Sequence, residues 1–526
     1  MTSAPAVAAV GRKAGIRDVH QGYGAKTMWQ AIVVAGTAAV CGAVCTRFAR
    51  DAAIRFGLID QPDGRRKIQT RAVPLAGGIG VLAGAVIALA LSLLLPGVAQ
   101  ELGSDIRRGL ALLVAAVIIA IVGLADDARN LRPRFKILGQ IAASLILIFP
   151  GNLLIERIAF FGFDIELDVM SVPFTLFWFL ASINALNLLD GMDGLLGTVG
   201  FVVCGALAGI AFLCAHSFAG LIAAALAGSI LGFLRYNLPP ATVYLGDCGS
   251  MLIGLVVAAL AIQASIKGPA MALVAPTAIL ILPLLDTSAA IVRRKLTGRG
   301  LAIPDRGHLH HVLQRSGMTI RRVLVLVTVL GLIAAGGALV SVYMRNDLIA
   351  LLSSGAVALI LVTGGLFGNA EVRLMKERTI AFLKSATGDR HHVETEVRLH
   401  GSAHWGDVWK DITARADVLN LQTVCLDVNA PVWHEDYHVR WDRVGSSAPP
   451  FRLWKAEIPL FGQGHAIGRL TVCGPRDEVP IGEKLALLSE IVDTAELRVA
   501  EVVQAGATRP PTPVLPSRPE PAATPA

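Results

Sequence analysis

The sequence has few charged residues. Asp, Glu, Lys and Arg make up only 16% of its 526 residues, whereas a soluble domain has about 25%. Hydrophobic residues make up 54% of the chain, and the mean hydropathy is +0.62. This balance excludes an ordinary soluble protein and indicates a membrane protein.

The cysteines lack the close spacing of structural sites. The chain has seven, and no two of them form a C-x-x-C pair. Neither a disulfide framework nor a zinc site is therefore expected. Residues 1–27 are polar and basic and lack the apolar core of a cleavable signal peptide, so we expect them to form an N-terminal polar segment.

Long apolar runs fill residues 28–368. A run of about 20 apolar residues can cross a bilayer. We count about eleven, which predicts an all-α polytopic membrane domain. The runs start near Met28, Pro74, Gly109, Phe135, Val172, Leu195, Phe218, Met251, Pro269, Arg322 and Asp347. The loops between odd and following even runs are rich in Arg and Lys, so the positive-inside rule places them in the cytoplasm. The bases of residues 1–27 oppose this orientation.

The composition becomes that of a soluble protein at about Glu371. We predict a cytoplasmic α/β module over residues 371–505, whose element order is loosely similar to a GAF-type sensor domain. The Pro-rich residues 506–526 are typical of a disordered tail. The predicted helices and strands of the module are helix Asp407–Val418, strands Gln422–Val428, Phe451–Leu460 and Ala466–Cys473, and helix Gly482–Val503.

The most informative segment runs from Asn184 to Leu195. It places two carboxylates, Asp190 and Asp193, at the end of an apolar run together with the amide of Asn187. Ionisable groups near membrane spans are expensive and are therefore functional candidates. Their spacing of three residues puts both carboxylates on one helix face, as a divalent cation requires. A glycine-rich interfacial turn is the alternative interpretation.

Two further motifs flank other apolar runs. Arg66 and Lys67 lie in a basic loop that could hold a phosphate, or that serves only as a positive-inside flank. Asp126 and Asp127 end another run, with Lys136 following. One of these carboxylates could bind a metal or act as a general base, whereas pairing with nearby arginines is the structural alternative.

The last two motifs lie later in the membrane domain. Asp247 stands in Tyr244–Ser250, where small residues would let a ligand approach a hard oxygen donor; a plain glycine turn is the alternative. The segment from Pro304 to His311 suits a pyrophosphate, with a zinc site or a solvated basic loop as rivals. Its candidate ligands are Arg306, His308, His310 and His311.

All five motifs fall on the predicted cytoplasmic side, which argues for one shared site. An ion-coupled transporter is the main alternative from another class. It predicts charges near mid-span and an internal repeat, whereas these carboxylates stand at the ends of runs and no repeat is visible. A membrane anchor for the C-terminal module is a third interpretation, which the five motifs disfavour.

Together the motifs resemble the polyprenyl-phosphate N-acetylhexosamine-1-phosphate transferases, glycosyltransferase family 4. The resemblance covers roughly residues 28–368. The histidine motif is similar to that of the WecA-like branch, which ranks above the phospho-N-acetylmuramoyl-pentapeptide transferases of peptidoglycan synthesis. One position departs from the family pattern, because Gln69 stands where a histidine is expected.

The resemblance implies a reaction and its partners. N-acetylhexosamine-1-phosphate, with GlcNAc as first choice, would pass from a UDP-sugar to undecaprenyl phosphate and release UMP, with Mg²⁺ or Mn²⁺ as cofactor. The product would initiate cell-envelope or extracellular polysaccharide synthesis at the bacterial inner membrane. No nucleic-acid partner is expected, a homodimer is an open alternative, and the sequence does not identify a ligand for the module.

The resemblance also implies roles for residues. Mg²⁺ is assigned first to Asp247, with Asp190 and Asp193 as further ligands and Asp127 as an alternative. Asp126 or Asp127 would orient or deprotonate the lipid phosphate. The catalytic set is Asp126, Asp127, Asp193 and Asp247, and the substrate-binding set is Arg66, Lys67, Lys136, Asn187, Asp190, Arg306, His308, His310 and His311.

Overall fold

A computed structural model describes most of the chain. It covers residues 7–61, 72–160, 163–265, 274–296 and 307–369. It also covers 392–400, 405–414, 421–430, 435–443, 453–462 and 465–475, with a few isolated residues around them. The chain divides into two units. The first comprises Met1–Ile291 with Gly307–Gly368, and the second comprises Val292–Arg306 with Asn369–Ala526.

Helices dominate the membrane region. Those described are α1 (Val7–Phe56), α2 (Gly77–Ser92), α3 (Val98–Gly103), α4 (Ile106–Arg129), α5 (Pro133–Ile148), α6 (Ser171–Leu189), α7 (Leu195–Leu213), α8 (Ser217–Asn237), α9 (Gly246–Ser265), α10 (Val274–Ile279), α11 (Ile281–Leu296), α12 (Leu309–Arg315), α13 (Ile320–Met344) and α14 (Asp347–Thr363). Two short antiparallel hairpins join some of them, namely β1 (Ile59–Asp60) with β2 (Val73–Pro74), and β3 (Arg157–Phe160) with β4 (Phe163–Glu166).

Among the described residues, seven helices are long and apolar enough to cross a membrane: α1 from Met28, α4, α6 with the preceding turn, α7, α8, α9 and α13. The apolar helices α2 and α14 are shorter. The polytopic helical class is confirmed, but the predicted count of about eleven spans is not. The predicted ninth run corresponds to two shorter helices, α10 and α11, and residues 266–273 before them are not described.

The centre of the bundle is formed by α8 and α9, which are almost wholly buried. Helix α8 packs against α1, α2 and α7, whereas α9 packs against α4 and α6. Small residues allow these approaches. A side chain at Gly228 or Gly232 would overlap the backbone of α1, so glycine permits the close helix contacts that lipid-embedded bundles use.

One end of the bundle is tied together by glycines. A methyl group on Gly123 of α4 would overlap the backbone of Cys248 in α9, and one on Gly78 of α2 would overlap Gly249. The backbone N–H of Gly78 also donates to the carbonyl of Leu245 at 3.0 Å. These contacts bring the start of α2, the end of α4 and the start of α9 to one place. The motif carboxylates of α4 and α9 therefore become neighbours.

The second unit contains a five-stranded antiparallel sheet. Its strands are β5 (His392–His400), β6 (Thr423–Ala430), β7 (Glu435–Arg443), β8 (Leu453–Gly462) and β9 (His465–Pro475), in the spatial order β5-β7-β6-β9-β8. Helix α15 (Trp405–Thr413) buries Trp405, Val408, Trp409 and Ile412 in one cluster with the sheet's apolar side chains. This spacing is that of one helix face.

The predictions for this module were partly met. Strands β6, β8 and β9 and a helix stand where the sequence predicted them, but α15 ends at Thr413 rather than Val418. Strands β5 and β7 were not predicted, although apolar and polar residues alternate in both, as at Tyr437, Val439 and Trp441 of β7. The predicted helix 482–503 and the tail 506–526 lie outside the described ranges. Likeness to a GAF domain is not confirmed.

The glycine contact at Gly123 generates a stability prediction. We expect Gly123→Ala to destabilise the protein by about 1–3 kcal/mol, because the new methyl group must displace the α9 backbone. Gly205→Ala is the matched control, since Gly205 is an exposed helical glycine with no atom within 4 Å of an added Cβ. Thermal unfolding in detergent would measure both variants. Equal melting temperatures for the two would contradict the role of this contact.

Candidate active site

An acidic cavity lies at the glycine-tied end of the first unit. Its volume is about 740 Å³, and it lies where α4 ends, α9 begins and the loop joins α6 to α7. Among the described residues that line it, none is Lys or Arg. The carboxylates that line it are Asp60, Asp126, Asp127, Asp190, Asp193 and Asp247. The second, third and fourth motifs therefore meet in one site, as the sequence predicted.

Asp127 fixes the start of α9. Its two carboxylate oxygens accept hydrogen bonds from the backbone N–H groups of Asp247 at 2.9 Å and Cys248 at 3.2 Å. The first N–H groups of a helix have no partner within the helix and carry partial positive charge. Gly246 adopts a φ of +72°, and a Cβ there would lie 2.6 Å from Asp127 Oδ2. The glycine thus lets the carboxylate approach the helix terminus.

Lys136 holds two other carboxylates together. Its ammonium group donates to Asp126 Oδ2 at 2.9 Å and also to Asp247 Oδ2. The other oxygen of Asp126 accepts from the backbone N–H of Leu131 at 2.8 Å. Asn187 donates to Asp247 Oδ1 at 2.8 Å, and the same amide nitrogen donates to Ser250 Oγ. The Asp247 carboxylate is therefore oriented from both sides.

Asp190 and Asp193 lie in the turn between α6 and α7, so the prediction that they share one helix face was wrong, and their environments differ. Burial, followed by the negative charges of Asp247 and Asp127, raises the pKa of Asp190 to about 8. No described residue donates a hydrogen bond to its carboxylate. Asp193 instead accepts from the backbone N–H of Ala241 at 2.9 Å, so one of its oxygens braces the segment after α8. The catalytic and metal roles assigned to Asp193 stay predictions.

His308 is held by a carboxylate that the sequence did not single out. Asp286 is fully buried, and its Oδ2 lies 3.0 Å from His308 Nδ1. Its Oδ1 accepts from the backbone N–H of Leu309 at 2.7 Å. An acceptor at Nδ1 fixes the orientation of an imidazole ring. Asp286 therefore positions both the histidine and the start of α12.

His310 joins the histidine segment to the Asn184–Leu195 motif. The ring is 2% exposed and lies against Gly191, where any side chain would overlap it. The ring of His311 lies 4.1 Å away between centroids. Burial, followed by repulsion from His311, His308 and Arg315, lowers the pKa of His310 to about 3. His310 is therefore neutral near pH 7 and acts as packing between two motifs.

Comparisons with known proteins agree with this geometry. A family model described as Glycosyl transferase family 4 matches residues 109–265, which include Asp126, Asp127, Asp190 and Asp247. The chain is 30% identical over 299 residues to a probable undecaprenyl-phosphate N-acetylglucosaminyl 1-phosphate transferase of Bacillus subtilis, covering 56% of this chain and 81% of the relative. The chain belongs to glycosyl transferase family 4.

Two further relatives of this glycosyl transferase have related names. A decaprenyl-phosphate N-acetylglucosaminephosphotransferase of Mycolicibacterium smegmatis is 32% identical over 329 residues, covering 57% of this chain and 80% of the relative. An undecaprenyl-phosphate alpha-N-acetylglucosaminyl 1-phosphate transferase of Salmonella typhi is 31% identical over 296 residues, covering 55% and 77%. The resemblance inferred from the motifs is therefore confirmed at the level of the family.

Several predicted residues of this family 4 glycosyltransferase are not placed. Arg66, Lys67 and Gln69 lie in residues 62–71, and Arg306 lies in residues 297–306, outside the described ranges. Asp286 was not among the predicted site residues, and Asp60 began the first motif without an assigned role. A carboxylate inside the apolar segment before Arg293 was the available signal for Asp286.

The carboxylate oxygens of the cavity are of the type that binds a divalent cation. Among the described residues, no three His, Cys, Asp or Glu side chains converge closely enough to form a ready-made metal cluster. The cavity nevertheless concentrates carboxylate oxygens, which Mg²⁺ prefers, and Asp190 has no described hydrogen-bond donor. The ammonium of Lys136 lies between two of these carboxylates. Asp247 and Asp190 stay predicted ligands of the ion.

The buried neutral His310 generates a pH prediction. Its pKa of about 3 in the folded state lies below the ordinary value of 6.5, so the unfolded chain takes up a proton that the folded chain refuses. Stability should therefore fall as the pH drops below 6.5, with His310 contributing about 2 kcal/mol of that loss by pH 5. His310→Gln should flatten the profile, whereas the half-buried neighbour variant His311→Gln should keep it. Melting temperatures between pH 7.5 and 5 would measure this, and an unchanged slope in His310→Gln would contradict it.

Proposed function

We propose that this protein transfers N-acetylglucosamine-1-phosphate from UDP-N-acetylglucosamine to undecaprenyl phosphate and releases UMP. The observation that carries the proposal is the convergence of Asp126, Asp127, Asp190 and Asp247 on one cavity beside Lys136. The names of the relatives support the polyprenyl phosphate and the N-acetylglucosamine. The basic loops support a cavity that faces the cytoplasm from the inner membrane.

The reaction exchanges one phosphoanhydride bond for another. An oxygen of the lipid phosphate attacks the phosphorus that carries the sugar, and the bond to the UMP oxygen breaks. Both substrates are anions, so the site must neutralise charge while it aligns them. Mg²⁺, held by Asp247 and Asp190, would supply part of that neutralisation when bound.

We assign different roles to the two adjacent carboxylates. Both oxygens of Asp127 are occupied by backbone N–H groups of α9, so we assign Asp127 to positioning. Asp126 lines the cavity, so we assign it to orienting the lipid phosphate, with Lys136 holding its carboxylate in place. A lipid phosphate is already largely ionised near pH 7, since its second pKa is about 6. Orientation is then a greater need than deprotonation.

The histidine segment supports recognition of the nucleotide diphosphate. Asp286 fixes the ring of His308, and packing of His310 on Gly191 keeps the segment beside the carboxylate motif. A fixed donor costs little reorganisation when an anion binds. We assign His308 and His311 to the diphosphate, and His310 to positioning.

The central test is UMP release by the purified full-length chain with undecaprenyl phosphate, Mg²⁺ and a panel of UDP-sugars. Asp247→Asn should lower turnover about a hundredfold or more, because the oriented charge is lost while the fold is kept. Asp168→Asn is the matched control, since Asp168 is exposed and outside the cavity. Turnover of a UDP-N-acetylmuramoyl-pentapeptide in place of UDP-N-acetylglucosamine would favour the peptidoglycan alternative. Near-normal turnover by Asp247→Asn would refute the site.

A second variant distinguishes the loss of His308 positioning from a general loss of activity. Asp286→Asn offers one acceptor oxygen in place of two, so His308 Nδ1–H and the Leu309 N–H cannot both keep an acceptor. We expect KM for the UDP-sugar to rise about tenfold, the change that accompanies loss of about 1.4 kcal/mol. KM for the lipid should stay unchanged. Steady-state kinetics with each substrate varied in turn would measure both, and a rise confined to the lipid would contradict the assignment.

A further inference from the structure

An apolar groove lies on the membrane surface of the first unit, away from the acidic cavity. It runs between α2 and α4, encloses about 330 Å³, and has α8 and α9 as its floor. Leu226 and Leu252 form buried parts of the floor, whereas Val86 and Leu113 are exposed on the walls. A lipid chain is the occupant that such a surface meets in a bilayer.

The groove does not lead into the acidic cavity. One turn beyond its end, Gly78 lies against Gly249 and Gly123 lies against Cys248, with the backbones in contact. The helices are therefore closed together at the catalytic end. They diverge toward the opposite end, where Leu93 and Ile106 line the groove. A chain in this groove enters from the leaflet opposite the catalytic end and cannot present a phosphate to Asp126.

A small polar cavity adjoins the open end of the groove. It encloses about 90 Å³, and Phe218 lines both spaces. Gln263, at the far end of α9, lines it with only 6% of its surface exposed. Neither its amide oxygen nor its amide nitrogen has a hydrogen-bond partner among the described residues. A buried amide without a partner is costly, so this position requires a polar ligand.

The charges around the polar cavity indicate which ligand it accepts. Glu101 and Asp105 supply two carboxylates, Arg108 supplies one guanidinium, which donates to Asp105 at 2.8 Å, and His216 supplies an imidazole. An anionic headgroup would meet two carboxylates and only one permanent cation. A headgroup with both an ammonium and a phosphate would find partners for each charge, and Gln263 can donate and accept.

We propose that this groove and cavity form a binding site for one zwitterionic, amine-bearing phospholipid of the phosphatidylethanolamine type. One acyl chain lies between α2 and α4, and the headgroup enters the polar cavity beside Gln263. An ordinary boundary lipid has no such fixed hydrogen-bond partner. The site is separate from the proposed transferase cavity and does not depend on that function.

The test uses the full-length chain purified in mild detergent. Equimolar synthetic phosphatidylethanolamine and phosphatidylglycerol with matched acyl chains are added, and native mass spectrometry counts the lipids retained per protein. We expect one phosphatidylethanolamine to be retained about five- to tenfold over phosphatidylglycerol, as one or two hydrogen bonds would provide. Gln263→Leu should lower the retention of phosphatidylethanolamine, because its headgroup loses the buried amide as a partner. Gln100→Leu, an exposed glutamine outside both spaces, is its matched control.

A second pair of variants guards against misfolding of Gln263→Leu. Val86→Trp should block the groove from the lipid-exposed side, whereas Leu91→Trp on another face of α2 should not. Retention that falls in Val86→Trp but not in Leu91→Trp supports the site. Equal retention of both lipids, preference for phosphatidylglycerol, or retention insensitive to Val86→Trp would overturn it.

Discussion

The carboxylate of Asp127 on the first backbone N–H groups of α9 is the contact on which the site depends. It joins the end of one buried helix to the start of another, and it satisfies groups that the helix itself leaves without partners. The loss of this acceptor would leave two N–H groups of α9 without the partner that they have here. Asp247 belongs to the same turn of α9, so the position of the central carboxylate follows from this contact.

Glycine residues make that contact possible, because a larger side chain at their positions would overlap a neighbouring helix or Asp127. Gly123 and Gly78 let α4 and α2 reach the backbone of α9, while Gly246 opens the terminus to Asp127. A bundle in lipid gains little from burying apolar surface against apolar surface, so close van der Waals packing is its main resource. The acidic cavity is stable because the helices around it touch at their backbones. Charge is thus concentrated beside close backbone contacts.

Much of the site could be predicted because its carboxylates interrupt apolar runs. Asp126, Asp127, Asp190 and Asp247 stand out in the sequence for that reason, and the fold brings them together. Asp286 escaped notice because it is a single carboxylate without a motif, and its partner His308 lies 22 residues away. The different environments of Asp190 and Asp193 could not be predicted from the sequence either, since they depend on which backbone N–H group lies near each carboxylate.

The number of membrane spans and the strands of the second unit were predicted less well from the sequence pattern. Apolar composition marks a segment as buried in lipid or protein but does not give its length, so α10 and α11 were read as one span. Strands β5 and β7 carry charges on one face, and their pairing in the sheet is decided by neighbours distant in sequence.

Helix α9 is a rod of 20 residues, about 30 Å long, and protein surrounds it along nearly its whole length. Asp247 lies at one end of α9 and Gln263 near the other, so a single helix connects the acidic cavity on one membrane face with the polar cavity on the other. Its neighbours approach its backbone at Cys248 and Gly249 and again at Gly254, where α6 lies close. Any axial displacement of α9 would therefore move Asp247 on one face and Gln263 on the other by the same distance.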